Sequence, residues 1–169
     1  MVEEERNEED GRVPDQARSF MVYLAGPISG LSYDEAVERR RAAARRLAEL
    51  GHVTVSPMRG KEHLRRVRKL RPEGYRHPAS TAHAIVERDS WDVKRCDVLL
   101  ADLTGARIVS IGTVAEIAWG WLLHKYVIVV MEQENVHRHA FIEQCASLVC
   151  ETTDEAVEAI AVLAAAGAD

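Results

Sequence analysis

Three short runs constrain the fold of this chain more than any other feature. Phe20–Ala25 and Tyr126–Met131 are apolar almost throughout, and Asp97–Asp102 carries its two acids only at its ends. A strand that alternates apolar and polar residues can face water on one side. These runs have no polar side to present, so each is expected to be a strand covered on both faces.

The segments between them supply the cover. Ser32-Tyr-Asp-Glu35 is a capping box, and beyond it Ala36, Val37, Ala43, Ala44, Leu47 and Leu50 follow helical spacing until Gly51. His52–Val55 reads as a second short strand. Helices are expected at about Thr81–Arg95 and Gly112–His124, with a short one near Ala140–Ala146 before a strand at Ser147–Cys150. Thr152-Thr-Asp-Glu155 is a second capping box, opening a terminal helix rich in Ala, Ile and Val. Strands alternating with helices make an α/β fold. The expected form is a flavodoxin-like three-layer sandwich with a five-stranded parallel sheet in the order 2-1-3-4-5.

The 169 residues are 47% hydrophobic and 29% charged, the balance of one folded domain, expected over 20–169. Residues 1–19 are dominated by Glu, Asp and Arg and are expected to form a disordered acidic tail. A net charge of -5 argues against nucleic-acid binding. No apolar run reaches membrane-spanning length, and the acidic start is unlike a signal peptide, so a cytoplasmic location is expected. Cys96, Cys145 and Cys150 lack CxxC spacing and read as reduced thiols. His137, His139 and Cys145 match no zinc pattern, so no metal is expected.

Two carboxylates stand out. Glu116 lies in Ser110–Trp121, and between Arg107 and His124 no other residue carries a formal charge. Burying a lone carboxylate is costly unless something compensates it. Near the start of a helix its side chain tilts back toward free backbone N–H groups and the positive dipole end. Asp89 is the second anomaly. It sits on the apolar stripe of its helix (Ile85, Val86, Val93, Cys96), four residues after Ile85 and four before Val93. In an open α/β sheet, ligands bind at the carboxyl ends of the strands. Both acids are carried toward that edge, together with Ala25-Gly26 and Asp102. The very basic segment Ser56–Ser80, with a short helix near Lys61–Lys69, reads either as a solvated surface or as a loop attracting an anionic substrate. Phosphate-loop, dinucleotide and nucleophile-elbow motifs are absent, so no cofactor is expected.

Taken in order, Tyr23-Leu-Ala-Gly-Pro-Ile-Ser-Gly30, Arg88-Asp89, Cys96-Asp-Val-Leu-Leu-Ala-Asp102 and Gly112-Thr-Val-Ala-Glu116 resemble the nucleoside 2-deoxyribosyltransferase family, over about Met21 to Leu163. The resemblance implies transfer of 2-deoxyribose between nucleobases through a glycosyl-enzyme. It also implies dimers or dimer-built oligomers whose subunits complete each other's sites. A related branch hydrolyses the N-glycosidic bond of nucleoside 5'-monophosphates. By motif, Glu116 corresponds to the nucleophile and Asp89 to the acid/base. Ala25, Gly26, Pro27 and Gly112 would lie against sugar or phosphate, with Asp102, Met58 and Arg59 on the substrate side. Six residues before the nucleophile the transferases usually carry an Asp that holds a sugar hydroxyl. This chain has Ser110, as the nucleotide-hydrolase branch often does, where the Ser contacts a 5'-phosphate. His137 and His139 occupy the segment from which the family lends a polar residue to a neighbouring subunit.

In physical terms, cleavage builds positive charge at C1' and negative charge on the departing base. An ionised Glu116 would attack, and Asp89 would hold the proton, their pKa values driven apart by burial and mutual repulsion. Three readings stand: a deoxyribosyltransferase on free nucleosides, a nucleoside 5'-monophosphate N-glycosidase, and a non-catalytic nucleotide-binding module. Trp119 and Trp121 lie on opposite sides of what reads as an otherwise buried helix, so that one of them could meet a partner subunit.

Overall fold

The computed structural model describes residues 18–166. Five strands, β1 (Met21–Ala25), β2 (Val53–Val55), β3 (Val98–Asp102), β4 (Tyr126–Val130) and β5 (Leu148–Cys150), form one sheet in the order β2-β1-β3-β4-β5. Every pairing is parallel. The helices are α1 (Tyr33–Glu49), α2 (Ala82–Arg95), α3 (Ile111–Leu122), α4 (Ala140–Cys145) and α5 (Thr153–Ala166). This is the flavodoxin-like order expected from the alternation. Among the described residues no helix is long and apolar enough to cross a membrane.

Strand pleating sorts the core into two layers. Val22, Leu24, Val98, Leu100, Ile128 and Val130 pack with Leu47 of α1 and Ile160 of α5. Tyr23, Ala25, Leu99, Ala101, Val127 and Val129 point the other way, onto Val93 of α2, Ile117 of α3 and Ile142 of α4. Both capping boxes form. Ser32 and Glu35 bond each other's backbone N–H, and Thr152 and Glu155 do the same at α5.

The expected tail at 1–19 falls mostly outside the described residues. Its last two positions belong to the fold instead: the Arg18 N–H donates to the Ala164 carbonyl, and Ser19 Oγ donates to the Gly51 carbonyl. The basic segment is less regular than expected, with 3-10 turns at Glu62–Leu64 and Pro78–Ser80 in place of a longer helix. It is nevertheless docked. Leu64 and Leu70 join Met58, Tyr33 and Ala36 in a third small core, and Gly30 and Leu70 exchange backbone bonds with the opposite loop (Gly30 N–H to Leu70 O 2.9 Å; Leu70 N–H to Leu31 O 2.7 Å). The sequence stripe on α2 also needs correction. Val86 is 49% exposed, and the acids Asp89 and Asp92 take the inward positions. Nor is α3 buried all round, because Ile111 and Trp121 are exposed while Trp119 packs partly on the core.

The turn after β1 depends on a glycine. Gly26 has φ of 152°, and a Cβ there would lie 2.7 Å from the Asp102 carbonyl oxygen. Gly26→Ala is therefore expected to destabilise the fold by more than about 1 kcal/mol in a urea titration. A variant as stable as the wild type would show that the β1 and β3 ends do not require this close approach.

Candidate active site

The start of α3 places the first acid. Ser110 precedes the helix, and its side chain caps no backbone N–H. One turn beyond Glu116, Gly120 lets α3 lie close on the sheet, for a Cβ there would come 3.0 Å from Val127 Cγ2. Glu116 is thereby lowered onto β1, where the Tyr23 hydroxyl donates to its Oε1 at 2.7 Å. Both residues are buried.

Asp89 comes from the inward face of α2. Arg88 donates to Asp89 Oδ1 at 3.1 Å, and also reaches the carbonyls of Pro57 (2.9 Å) and Arg59 (3.3 Å). One turn on, the fully buried Asp92 is held by Arg59 at 2.5 and 2.6 Å and by Arg95 at 2.9 Å. Two further cations are buried in this region. Arg40 of α1 donates to the carbonyls of Leu24, Ala36 and Gly26, which braces the turn after β1. Lys61 is only 4% exposed.

These charges set where the proton resides. Burial, then the negative charge of Asp89, pushes Glu116 up from 4.5 to about 8, against the pull of the Tyr23 hydrogen bond, Arg40 and Lys61. Burial also raises Asp89, but Lys61 and Arg88 lie beside it and oppose the rise. The Tyr23 phenol is driven well above its ordinary value by burial and by both acids, so it stays protonated and keeps donating. Of the two carboxyls, Asp89 has the compensating cations, Arg88 and Lys61. Glu116 was expected to be ionised, and burial beside Asp89 instead favours its protonated form.

The remaining expected site residues divide into two groups. Ala25, Gly26 and Pro27 end β1, and Ser110 and Gly112 open α3 at the same edge. The Ser110 N–H donates to His137 Nε2 at 2.8 Å. The other ring nitrogen of His137, Nδ1, meets Asn135 Oδ1 at 3.0 Å, and Asn135 in turn donates to the Leu103 carbonyl. An accepting Nε2 leaves the proton on Nδ1, so His137 is a neutral, buried prop under the Ser110 loop. The others are engaged elsewhere. Asp102 Oδ1 accepts from the Thr104 N–H and hydroxyl, Met58 is buried in the third core, Arg59 pairs with Asp92, and His139 Nδ1 caps α4. Sequence reading did not single out Tyr23, Arg40 or Lys61 as site residues. Only Tyr23 left a signal, as the polar member of an apolar strand.

The family model for nucleoside 2-deoxyribosyltransferases matches residues 22–159. No curated protein matches the sequence. Among solved structures, the CMP N-glycosidase of Clostridium botulinum superposes with a TM-score of 0.52 at 17% identity, covering 84% of this chain and 98% of that one. At that identity the likeness is one of fold.

The raised Glu116 has a consequence for stability. Between about 4.5 and about 8 the folded chain holds a proton that the unfolded chain has lost, so stability falls as pH rises through that window. Glu116→Gln cannot ionise and escapes the loss. It should be more stable than the wild type by roughly 2–4 kcal/mol near pH 8.5, with the margin shrinking toward about pH 5, measured by chemical denaturation. A margin that does not change with pH would mean that Glu116 ionises normally in the folded chain.

Proposed function

Given that the chain belongs to the nucleoside 2-deoxyribosyltransferase family, we propose that it breaks the N-glycosidic bond of a 2'-deoxynucleoside by attack of Glu116 on C1'. One observation carries this reading: a buried carboxylate, held by a tyrosine hydroxyl, in electrostatic contact with a second buried carboxyl on the facing helix. As the C1'–N bond breaks, its electron pair leaves with the base, and a Glu116 oxygen forms the new bond to C1'. Asp89 delivers a proton to the base. Burial favours the protonated form of Glu116, and attack requires the proton to sit on Asp89 instead. The reaction itself favours that transfer: positive charge grows at C1' beside Glu116, and negative charge grows on the base beside Asp89.

Features at the α3 start favour a nucleoside 5'-monophosphate, with water resolving the ester. The first-turn N–H groups of α3 have no side-chain cap, and the residue ahead of them is Ser110, which brings no negative charge to repel phosphate. The hydrolysis of CMP named for the solved neighbour is of this class. Transfer to a second base, the reaction in the family's description, shares the first half and differs only in the acceptor. It is the second reading.

Deoxynucleoside 5'-monophosphates are expected to release base with kcat/KM at least about 100-fold above the free nucleosides, and Glu116→Ala to lose at least about 1,000-fold. Exchange between deoxyinosine and adenine, with no gain from a 5'-phosphate, would replace the hydrolase reading by the transferase. Unchanged turnover in Glu116→Ala would end both.

We further propose that the chain works as a homodimer. Ile108, Ile111 and Phe141, each at least 74% exposed, lie near the starts of α3 and α4 and leave large apolar side chains uncovered there. Sedimentation should find dimers that Ile111→Glu separates, whereas a monomeric wild type would remove this part of the reading.

A further inference from the structure

Four cations lie on the elements that carry or flank the two acids, and three of them bond acceptors of the chain. Arg40 donates to three carbonyls, Arg88 to Asp89 and two carbonyls, and Arg59 to Asp92. Lys61 differs. Its backbone is fixed, the N–H donating to the Met58 carbonyl (3.2 Å) and the carbonyl accepting from Leu64 (2.8 Å), while Leu64 is anchored in the third core. Its side chain is almost wholly covered, and among the described residues no hydrogen bond or ion pair engages the ammonium, which is not one of the polar atoms sealed from solvent. A lysine whose stem is covered and whose ammonium reaches solvent unpaired keeps its donors available. A rigid loop that holds such a lysine in place presents it to an anion from outside the chain.

The location narrows which anion. Lys61 feels Asp89 more strongly than any other charge, and after it Arg88, Glu116 and Arg40. It therefore belongs to the α2 side of the site, with the acid that protonates the base. Ser110 and the uncapped start of α3 stand on the other side, with Glu116. On the proposed reading, sugar and phosphate lie toward α3 and the base toward α2.

We infer that Lys61 is a catalytic residue for base departure, its ammonium donating a hydrogen bond to the nucleobase and compensating the negative charge that the base acquires. This rests on the glycosidic reading above. When the C1'–N pair moves onto the base, Lys61 meets the developing charge and Asp89 supplies the proton that neutralises it. The same ammonium favours bases with an acceptor beside the glycosidic nitrogen, such as the 2-oxo group of a pyrimidine or N3 of a purine. Burial lowers Lys61 from 10.5 to about 8, so its charge is lost at mildly alkaline pH.

The test compares wild type with Lys61→Met, which keeps the side-chain volume, and with Lys61→Gln as a second variant. Substrates share one deoxyribose 5'-phosphate and differ in the acidity of the base: thymine, uracil and 5-fluorouracil. The loss in kcat/KM should be about 100-fold for thymine and become smaller as the base becomes more acidic. Calorimetry with 5-nitrouracil and 8-azaxanthine, which are largely anionic at neutral pH, reads the same site without turnover. Both variants should bind them at least about 10-fold more weakly, with inorganic phosphate binding unchanged. Equal losses for all three bases, or lost phosphate binding with intact binding of the anionic bases, would overturn the inference and make Lys61 a phosphate anchor or a structural residue. If the wild type binds the anionic bases through Lys61 but cleaves nothing, the glycosidic reading fails while base recognition by Lys61 stands.

Discussion

The hydrogen bond from Tyr23 to Glu116 is the contact around which the rest of the site is arranged. It joins the middle of the sheet to the second turn of α3 and puts a carboxylate where water hardly reaches. That bond favours the charged form but does not offset the desolvation, since Glu116 still titrates near 8. A carboxylate left in this condition is poorly solvated and poorly paired. On the proposed reading it bonds a centre that is becoming positive, and otherwise its burial favours the protonated form.

The cations explain how two similar acids diverge. They are concentrated around α2, where Arg88 touches Asp89, Arg59 and Arg95 neutralise Asp92, and Lys61 remains without an acceptor among the described residues. Arg40 lies behind β1 with its donors engaged on carbonyls, so it acts on Glu116 only at a distance. Positive charge is thus gathered on the α2 side of the site, and the Glu116 side has little of it. The third core and the Gly30–Leu70 backbone bonds hold the two loops that carry this asymmetry in fixed relation.

Much of this was legible in residue order. The apolar runs marked β1, β3 and β4, the two capping boxes marked α1 and α5, and the alternation implied the sheet order that the structure has. Glu116 and Asp89 were visible because a charge on an apolar face breaks a local pattern. Lys61 was not, because it sits among seven other Lys and Arg residues between Ser56 and Arg76, where a cation breaks nothing. Most of that segment is indeed exposed, and Lys61 is buried only because the 3-10 turn after it drops Leu64 into a core shared with α1. His137 was noticed for its chemical type, but its position beneath Ser110 depends on a loop folding back across the end of β3.

By itself the amino-acid order determined the periodicities, and with them the strands, the helices, their parallel arrangement and the edge at which two acids would emerge. Those properties follow from local sterics and from which faces must leave water. The tertiary structure alone decided how burial shifts the two carboxyls, which cations are engaged and which one is not. These depend on desolvation and on contacts such as that of Tyr23 with Glu116, 93 residues apart in the chain, which only packing brings together.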